Sequence, residues 1–381
     1  MSSENGAIVI VGAGVIGLTT ALRVQQEVLS TSDKSPPSIV IIARDFPKDT
    51  SINYATPWAG AHYRPCPGDT PQLRQEAKWA EKTYDTLDSW ADEDKLVAGV
   101  EFMPGEELFE NPAPEYVDVA KDVARSAYAH LASSFELINS NELAATNEDL
   151  SHTPKLGFRY RSYCLNSPVY ASFLQRRFQR NGGRVKQYTL ASLEEAFALE
   201  DSVSVVINCS GMGFGDPKAF PIRGQTCLVR NQISKTITHQ NADGSWSFAI
   251  PRPLEGGTII GGTKEPHDWN PYPSAETRQT LLSNAAKWFP LHSADEGTSG
   301  TDSFDVLRDI VGRRPAREGG LRLEVERRSI KSSKSGTRQT RGVVVHAYGI
   351  GGRGLELSWG IADEVVSLLR KQGTLSLRAH I

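Results

Sequence analysis

Two glycine clusters, at opposite ends of a 381-residue chain, carry the clearest chemistry. The first, Gly12-Ala13-Gly14-Val15-Ile16-Gly17, follows the apolar run at 7–11 and precedes a helical pattern with Leu18, Ala21, Leu22 and Val24. Between a strand and a helix, the first glycine permits a tight turn and the second lets backbone approach a pyrophosphate. The third lets helix and strand pack closely, and the helix start offers its amides to the phosphates. The second cluster, HAYGIGGRGLELSWG (346–360), puts five glycines into fifteen residues. A turn needs one or two, so five point to a loop laid against a large flat ligand.

The elements that position these clusters alternate in kind. A second strand (38–45) ends in Arg44-Asp45, where Asp45 is the acid expected at an adenosine ribose and Arg44 can reach phosphate or adenine. The stretch TSINYATPWAGAHYRPCPGDT (50–70) reads as a shaped, partly buried loop. Thr70-Pro71 then opens a helix whose core stripe is Leu73, Ala77, Ala80, Tyr84, Leu87 and Trp90. LVAGVEFM (96–103) reads as a short strand. Ser167-Pro168 opens another helix, closed by Gly182-Gly183. The strand in SVVINCSGMGFGD (204–216) ends in a further glycine run. From Ile222 onward, alternating segments joined by glycine-rich turns read as antiparallel strands, interrupted by a helix at 274–289. A Ser/Lys/Arg loop at 331–341 is expected to be exposed. The last strand (342–349) feeds the glycine loop and a final helix carrying Ala362, Val365, Val366 and Leu369.

Dinucleotide-type glycines thus stand at the start, middle and end, with antiparallel material between. A nicotinamide dehydrogenase usually closes its Rossmann domain contiguously. The interleaved layout suits an FAD domain whose isoalloxazine is reached by the last strand and loop. The fold class expected is an α/β FAD-binding Rossmann-like domain (1–60, 150–215 and 340–381) interleaved with an α+β substrate domain on a mostly antiparallel sheet (61–149 and 216–339). Composition is that of a soluble globular protein, 39% hydrophobic and 23% charged with net charge −3, which gives no reason to expect nucleic acid or an anionic membrane as partner. No apolar run approaches a membrane span, and no signal peptide is expected. Cys66, Cys164, Cys209 and Cys227 lack CxxC or Cys/His spacing, so reduced thiols and no metal site are expected, with one incidental disulfide as the alternative. The tail Ala379-His380-Ile381 approximates a peroxisomal address; otherwise the protein is expected in the cytoplasm, the tail being a frayed end.

GAGVIG (12–17), ARDFP (43–47), PWAGAHYRP (57–65), INCSGMG (207–213), IRGQTCLV (222–229), AIPRP (249–253), VGRRPAR (311–317) and VHAYG (345–349) followed by WG (359–360) occur in this order. In these motifs the chain resembles the D-amino acid oxidase family of fungal type, over nearly its whole length. The resemblance implies non-covalent FAD, homodimers in many members, and oxidation of a D-amino acid to an imino acid. The imino acid hydrolyses to a 2-oxo acid and ammonia, while O₂ becomes H₂O₂. Handedness comes from the resemblance alone. So does hydride transfer from Cα to flavin N5, which leaves no residue acting as acid or base.

By the same resemblance, Arg314 binds the substrate carboxylate bidentately, with Arg313 the alternative claimant. Gly352 offers its carbonyl to the substrate amine. Amides of Gly351, Gly352, Arg353, Gly354 and Leu355 lie near the flavin pyrimidine, where negative charge grows. Gly12, Gly14, Gly17, Arg44, Asp45 and Gly211 hold the ADP half with the intervening Ala13, Val15 and Ile16, and Ser51, Gly60 and Ala61 complete the cofactor set.

Phe248 is a departure, because relatives carry a tyrosine whose hydroxyl helps hold the carboxylate. The missing bond to a charged group is worth about 1.5–3 kcal/mol unless Trp246, Tyr348 or water replaces it, so a weaker Michaelis complex is expected. Tyr54 and Tyr63 are further candidates. His62 and Arg64 are expected to face the flavin and the substrate side chain, and Arg353 stands in the glycine loop. A cation in that pocket would favour D-aspartate or D-glutamate; pointing outward, these residues leave room for neutral side chains. The expectation is an oxidase of neutral D-amino acids. The alternatives are a D-aspartate oxidase, a flavin-binding protein without turnover and, more weakly, an amine oxidase acting on glycine or sarcosine. Its partners would be substrate, O₂, a second copy of the chain and the peroxisomal import receptor.

Overall fold

The computed structural model describes residues 6–30, 36–145, 153–200, 202–289, 301, 304–331 and 339–374. The chain forms two compact units, one of residues 1–57, 171–222 and 314–381, the other of 58–170 and 223–313.

At the centre of the first unit is β1 (Ala7–Val11), buried throughout and paired in parallel with β2 (Ser38–Ala43) and β7 (Val203–Asn208). A strand paired on both edges and covered on both faces must be apolar at every position, hence AIVIV without alternation. The sheet continues on one side to β6 (Arg184–Gln187), and on the other to β15 (Gln339–Tyr348) and β14 (Arg322–Lys331). Among the described residues of this sheet, only the β14–β15 pairing is antiparallel. Two helices pack together against this sheet, α1 (Val15–Ser30) and α9 (Gly354–Lys371), with Arg370 bonded to Glu27 and Arg23 to Asp363 across them. Ala362, Val365, Val366 and Leu369 are all buried on α9, as their spacing requires.

The second unit is built on a nine-stranded sheet running β12 (Glu265–Pro266), β8 (Ala219–Val229), β11 (Thr258–Gly261), β10 (Trp246–Pro251), β9 (Thr236–Gln240), β3 (Val100–Phe109), β5 (Leu156–Leu165) and β4 (Glu136–Leu137), with β13 (Val306–Arg317) also on β8. Its strands alternate. Cys227, Val229, Ile237, Ala249 and Ile260 face α8 (Ala275–Trp288), which answers with Leu281, Leu282, Ala285 and Trp288. The other face carries Met103, Cys164, Leu228, Ile250, Ile259 and Ile310, with Trp58 and Phe248 partly buried against them. Thr70 caps α2 (Pro71–Asp88) by accepting from the Leu73 amide at 3.1 Å.

The unit boundaries differ from those expected. Residues 153–170 belong to the second unit, because β5 pairs antiparallel with β3. Residues 216–222 and 314–331 belong to the first; β14 pairs with β15 there, from Arg322 opposite Tyr348 to Lys331 opposite Gln339. That ladder also replaces both ends of the loop expected at 331–341, of which 332–338 lie outside the described residues. The strand expected at 96–103 is instead the end of α3 (Asp92–Ala98) followed by β3. Asp92, Glu93 and Asp94 favour a helix start, and Gly99 at φ +65° ends it. All four cysteines are free thiols. The Ala379-His380-Ile381 tail lies outside the described residues.

Candidate functional site

In the first unit, the N-terminal glycines divide as their spacing predicts. A Cβ on Gly12, whose φ is +105°, would sit 2.4 Å from the Cys209 carbonyl oxygen, and one on Gly17 would sit 2.0 Å from the Gly12 carbonyl oxygen. These two glycines let backbone pack on backbone. Gly14 differs: apart from its chain neighbours, Thr56 Oγ1 at 3.3 Å is the one atom among the described residues within 4 Å of such a Cβ. Its open side leaves space for a phosphate, so the cradle fits a dinucleotide. Thr56 also accepts from the Val15 amide at 3.0 Å, and the buried Tyr54 hydroxyl donates to the Ala13 carbonyl at 2.7 Å. Burial, with Asp45 and Asp49 adding, raises the Tyr54 pKa and keeps it a donor. Tyr54 therefore braces the cradle and does not serve as the substrate ligand considered from sequence.

Arg44 donates Nε and Nη2 to Asp45 at 2.8 and 2.7 Å, directly after β2, where the sequence put the ribose acid. Ser51 forms a local turn, its carbonyl accepting from the Tyr54 amide at 3.0 Å. Gly211, at φ +81°, lies against Pro315.

The C-terminal glycine loop returns to this cradle. A Cβ on Gly354 would lie 3.5 Å from Val15 Cγ1, so the starts of α1 and α9 are neighbours and their positive dipole ends converge. Gly351 donates to the Pro315 carbonyl at 2.7 Å, and Ile350 bridges Ala316. A Cβ on Gly352 would stand 3.2 Å from Arg314 Cδ, so the arginine stem lies along that glycine. Arg314 and Gly352, far apart in sequence, are thus brought together. Arg353 pairs with Glu356 at 2.7 Å in the first turn of α9, and Leu355 is buried.

In the second unit, residues 59–64 form a strap along β5. Ala61 and Leu165 exchange backbone bonds at 3.4 and 2.8 Å, and the Tyr63 amide donates to the Tyr163 carbonyl at 2.9 Å. The buried Arg252 guanidinium donates to the Ala59 and Gly60 carbonyls at 2.9 and 3.1 Å; burial pulls it down to about 10, so it stays charged at neutral pH. Gly60 is packed on Ile250, 2.6 Å from where its Cβ would be. His62 Nδ1 lies 2.6 Å from Thr236 Oγ1, and burial reinforced by the Arg64 charge lowers its pKa to about 3. It is a neutral ring at physiological pH.

Arg64 does not stand as an uncompensated pocket cation. It donates to Tyr116 Oη at 2.9 Å and to Glu107 at 3.3 Å, and stacks 4.5 Å from the Trp246 ring centre. Glu107 is buried and also accepts from Tyr128 and Tyr160 at 2.6 and 2.8 Å; burial raises its pKa, opposed by Arg64 and both phenols. The Tyr63 hydroxyl is engaged with His130 at 2.7 Å, which makes it structural rather than a substrate ligand. Arg313 donates to the Trp269 carbonyl and lies 5.1 Å from the centre of that ring, which separates its role from that of Arg314.

Phe248 is half-buried on β10 opposite Gly261, with its Cζ 2.2 and 3.0 Å from where Cβ atoms on Gly261 and Gly262 would be. The ring tip therefore needs both glycines. The replacements considered for its missing hydroxyl are engaged elsewhere: Trp246 under Arg64, and Tyr348 with Asp216 and Arg322. Thr56, Glu107, Asp216 and Arg252 were not singled out from sequence. The legible signal was position alone, since Arg252 lies in AIPRP and Asp216 closes GMGFGD.

This arrangement can be set beside known proteins. A D-aspartate oxidase from Talaromyces thermophilus is 46% identical over 376 residues, covering 95% of this chain and 94% of that protein. A D-amino-acid oxidase from Schizosaccharomyces pombe is 29% identical, covering 97% and 98%. The structure of glycine oxidase from Geobacillus kaustophilus shares the fold, with a TM-score of 0.68 at 15% identity over 99% of this chain and 100% of that one. The family model DAO, FAD dependent oxidoreductase, matches residues 7–368. The chain belongs to that family, and its cofactor is FAD.

Proposed function

We propose that the protein is an FAD-dependent oxidase of D-amino acids whose preferred substrate is D-aspartate. The observation that carries the oxidase reading is Arg314 lying along Gly352 in a loop that returns to the dinucleotide cradle. The planar guanidinium takes the α-carboxylate through two bonds, and the Gly352 carbonyl accepts from the neutral amine. Held at both groups, Cα has one orientation, and orientation supplies most of the rate. FAD bound in the Gly12–Gly17 cradle would supply the acceptor for the Cα hydride and the route of its electrons to O₂. The imino acid released hydrolyses to the 2-oxo acid and ammonia without help from an acid or base on the protein.

The substrate preference departs from the neutral side chains expected from sequence. It rests on the nearly full-length likeness to the Talaromyces protein. Neutral side chains stay as a second reading because Arg64 and Arg353 are each bonded to a carboxylate of the protein. The same proposal includes a homodimer, and import into peroxisomes through Ala379-His380-Ile381. Sedimentation tests the first, and relocation of a fluorescent fusion on removing the tripeptide tests the second.

The deciding experiment is anaerobic bleaching of the flavin at about 450 nm by D-aspartate, D-alanine and L-aspartate separately. Fast bleaching by D-aspartate, slow by D-alanine and none by L-aspartate is expected. Faster bleaching by D-alanine would establish the second reading. A flavin left oxidised by every D-amino acid would leave a flavoprotein without turnover.

A further inference from the structure

β13 and β15 are not neighbours in the sheet order, and their ends meet through the Ala316–Ile350 bridge and the Gly351 amide on the Pro315 carbonyl. One carboxylate adds a side-chain clasp to this short backbone contact. Asp216, in the turn after β7, accepts at Oδ2 from Arg317 Nε at 2.9 Å and from the Tyr348 hydroxyl at 2.7 Å. Its Oδ1 accepts from the Lys218 amide at 2.9 Å, and the Lys218 carbonyl accepts from Glu318 at 2.9 Å. The carboxyl is 9% exposed, and these bonds hold its pKa well below the usual carboxylate range, against the opposing pull of burial. Arg317 follows Arg314 closely on β13, and Tyr348 ends β15 just before the glycine loop.

The surrounding packing leaves little slack. A Cβ on Gly213 would be 2.7 Å from the Tyr348 ring, and one on Gly349 would be 2.7 Å from Arg317 Cβ. The Tyr348 hydroxyl also accepts from Arg322 Nη1 at 3.1 Å, so its single proton is directed to Asp216.

We propose that Asp216 is a positioning residue for substrate: it clasps Arg317 to Tyr348 and thereby fixes the spacing between the Arg314 guanidinium and the Gly352 carbonyl. This rests on the reading of Arg314 and Gly352 given above. An asparagine would keep the shape but lose the charge, and whichever way its amide is turned the nitrogen, which cannot accept, faces a donor: the Lys218 amide in one orientation, Arg317 and Tyr348 in the other. The Arg317 and Tyr348 side chains would then lose their common partner, loosening the strand ends around the Ala316–Ile350 bridge, while the cradle, built from other residues, stays intact.

The test is a double-mutant cycle on FAD-loaded protein, read as the dissociation constant of malonate from the perturbation of flavin absorbance. Malonate carries carboxylates but no amine, so it reports Arg314 without turnover. Asp216→Asn should weaken malonate about ten-fold with FAD retention unchanged, and have less than about two-fold effect in an Arg314→Ala background. Tyr348→Phe, which removes one of the two bonds and keeps the ring, should weaken malonate in the same direction and serves if Asp216→Asn does not fold. Wild-type malonate binding by both variants overturns the inference, as does an undiminished loss in the Arg314→Ala background. If Arg314→Ala alone binds malonate normally, the carboxylate role of Arg314 fails and this inference falls with it.

Discussion

At the scale of single residues, Phe248 stands where the resemblance implies a tyrosine that helps hold the substrate carboxylate. The Phe248 ring tip lies over Gly261 and Gly262, the Trp246 ring is stacked under Arg64, and the Tyr348 hydroxyl is bonded to Asp216 and Arg322. Phe248→Tyr is therefore expected to lower KM about ten-fold, the worth of one bond to a charged group, with kcat little changed. An unchanged KM would mean that the ring tip does not reach the carboxylate. This residue was legible in advance because it breaks a motif. The burial of Arg64 beside Glu107 was not, since the Glu107 partners come from residues 64, 128 and 160, and no local pattern joins them.

At the scale of elements, the cradle makes two glycines separable. Gly17→Ala drives a Cβ into the Gly12 carbonyl and should cost the protein stability as well as FAD. Gly14→Ala meets only Thr56 Oγ1, at 3.3 Å. It should leave the melting temperature of the apoprotein nearly unchanged while weakening FAD, measured by flavin fluorescence titration. Equal losses of stability in both variants would remove the distinction between packing and ligand approach. The strand–turn–helix that carries these glycines was readable because a doubly paired strand has no polar positions and the helix begins at once. LVAGV misled for the opposite reason. A short apolar run has no period long enough to distinguish strand from helix, and the deciding signals were the acids at 92–94 and Gly99. The polar strand TITHQ of β9 offered no alternation at all, although all five of its residues are buried.

At the scale of the whole molecule, acid stability should depend in large part on one ring in the strap, with His130 and His346, whose pKa values burial also lowers, adding losses of the same sign. His62 titrates near 3 in the folded protein against an ordinary 6.5, so below 6.5 the unfolded chain takes up a proton that the folded chain refuses. Stability then falls with decreasing pH, by at most about 1.4 kcal/mol per pH unit, until the folded ring also protonates near 3. Glu326, lowered from 4.5 to about 2 chiefly by the Arg328 bond, adds a loss of the same sign only at lower pH. Between pH 6.5 and 4.5 the slope of melting temperature for the FAD-loaded protein should therefore flatten in His62→Gln. An unchanged slope would show that the imidazole is not held neutral by burial. The two-unit organisation was legible from interleaved glycines, but its borders were not. Two of the four fall inside β8 and β13, where strand pairing, not composition, decides to which unit a residue belongs.

The position of β15 and α9 in chain order has a consequence for biosynthesis. β1 and α1 come from residues 7–30, yet β15, which extends their sheet through β7, and the helix that packs on α1 come from residues 339–371. The cofactor half cannot close on the ribosome until α9 has emerged, so the nascent protein carries an open, apolar β1–α1 layer while the residues between 30 and 354 are made.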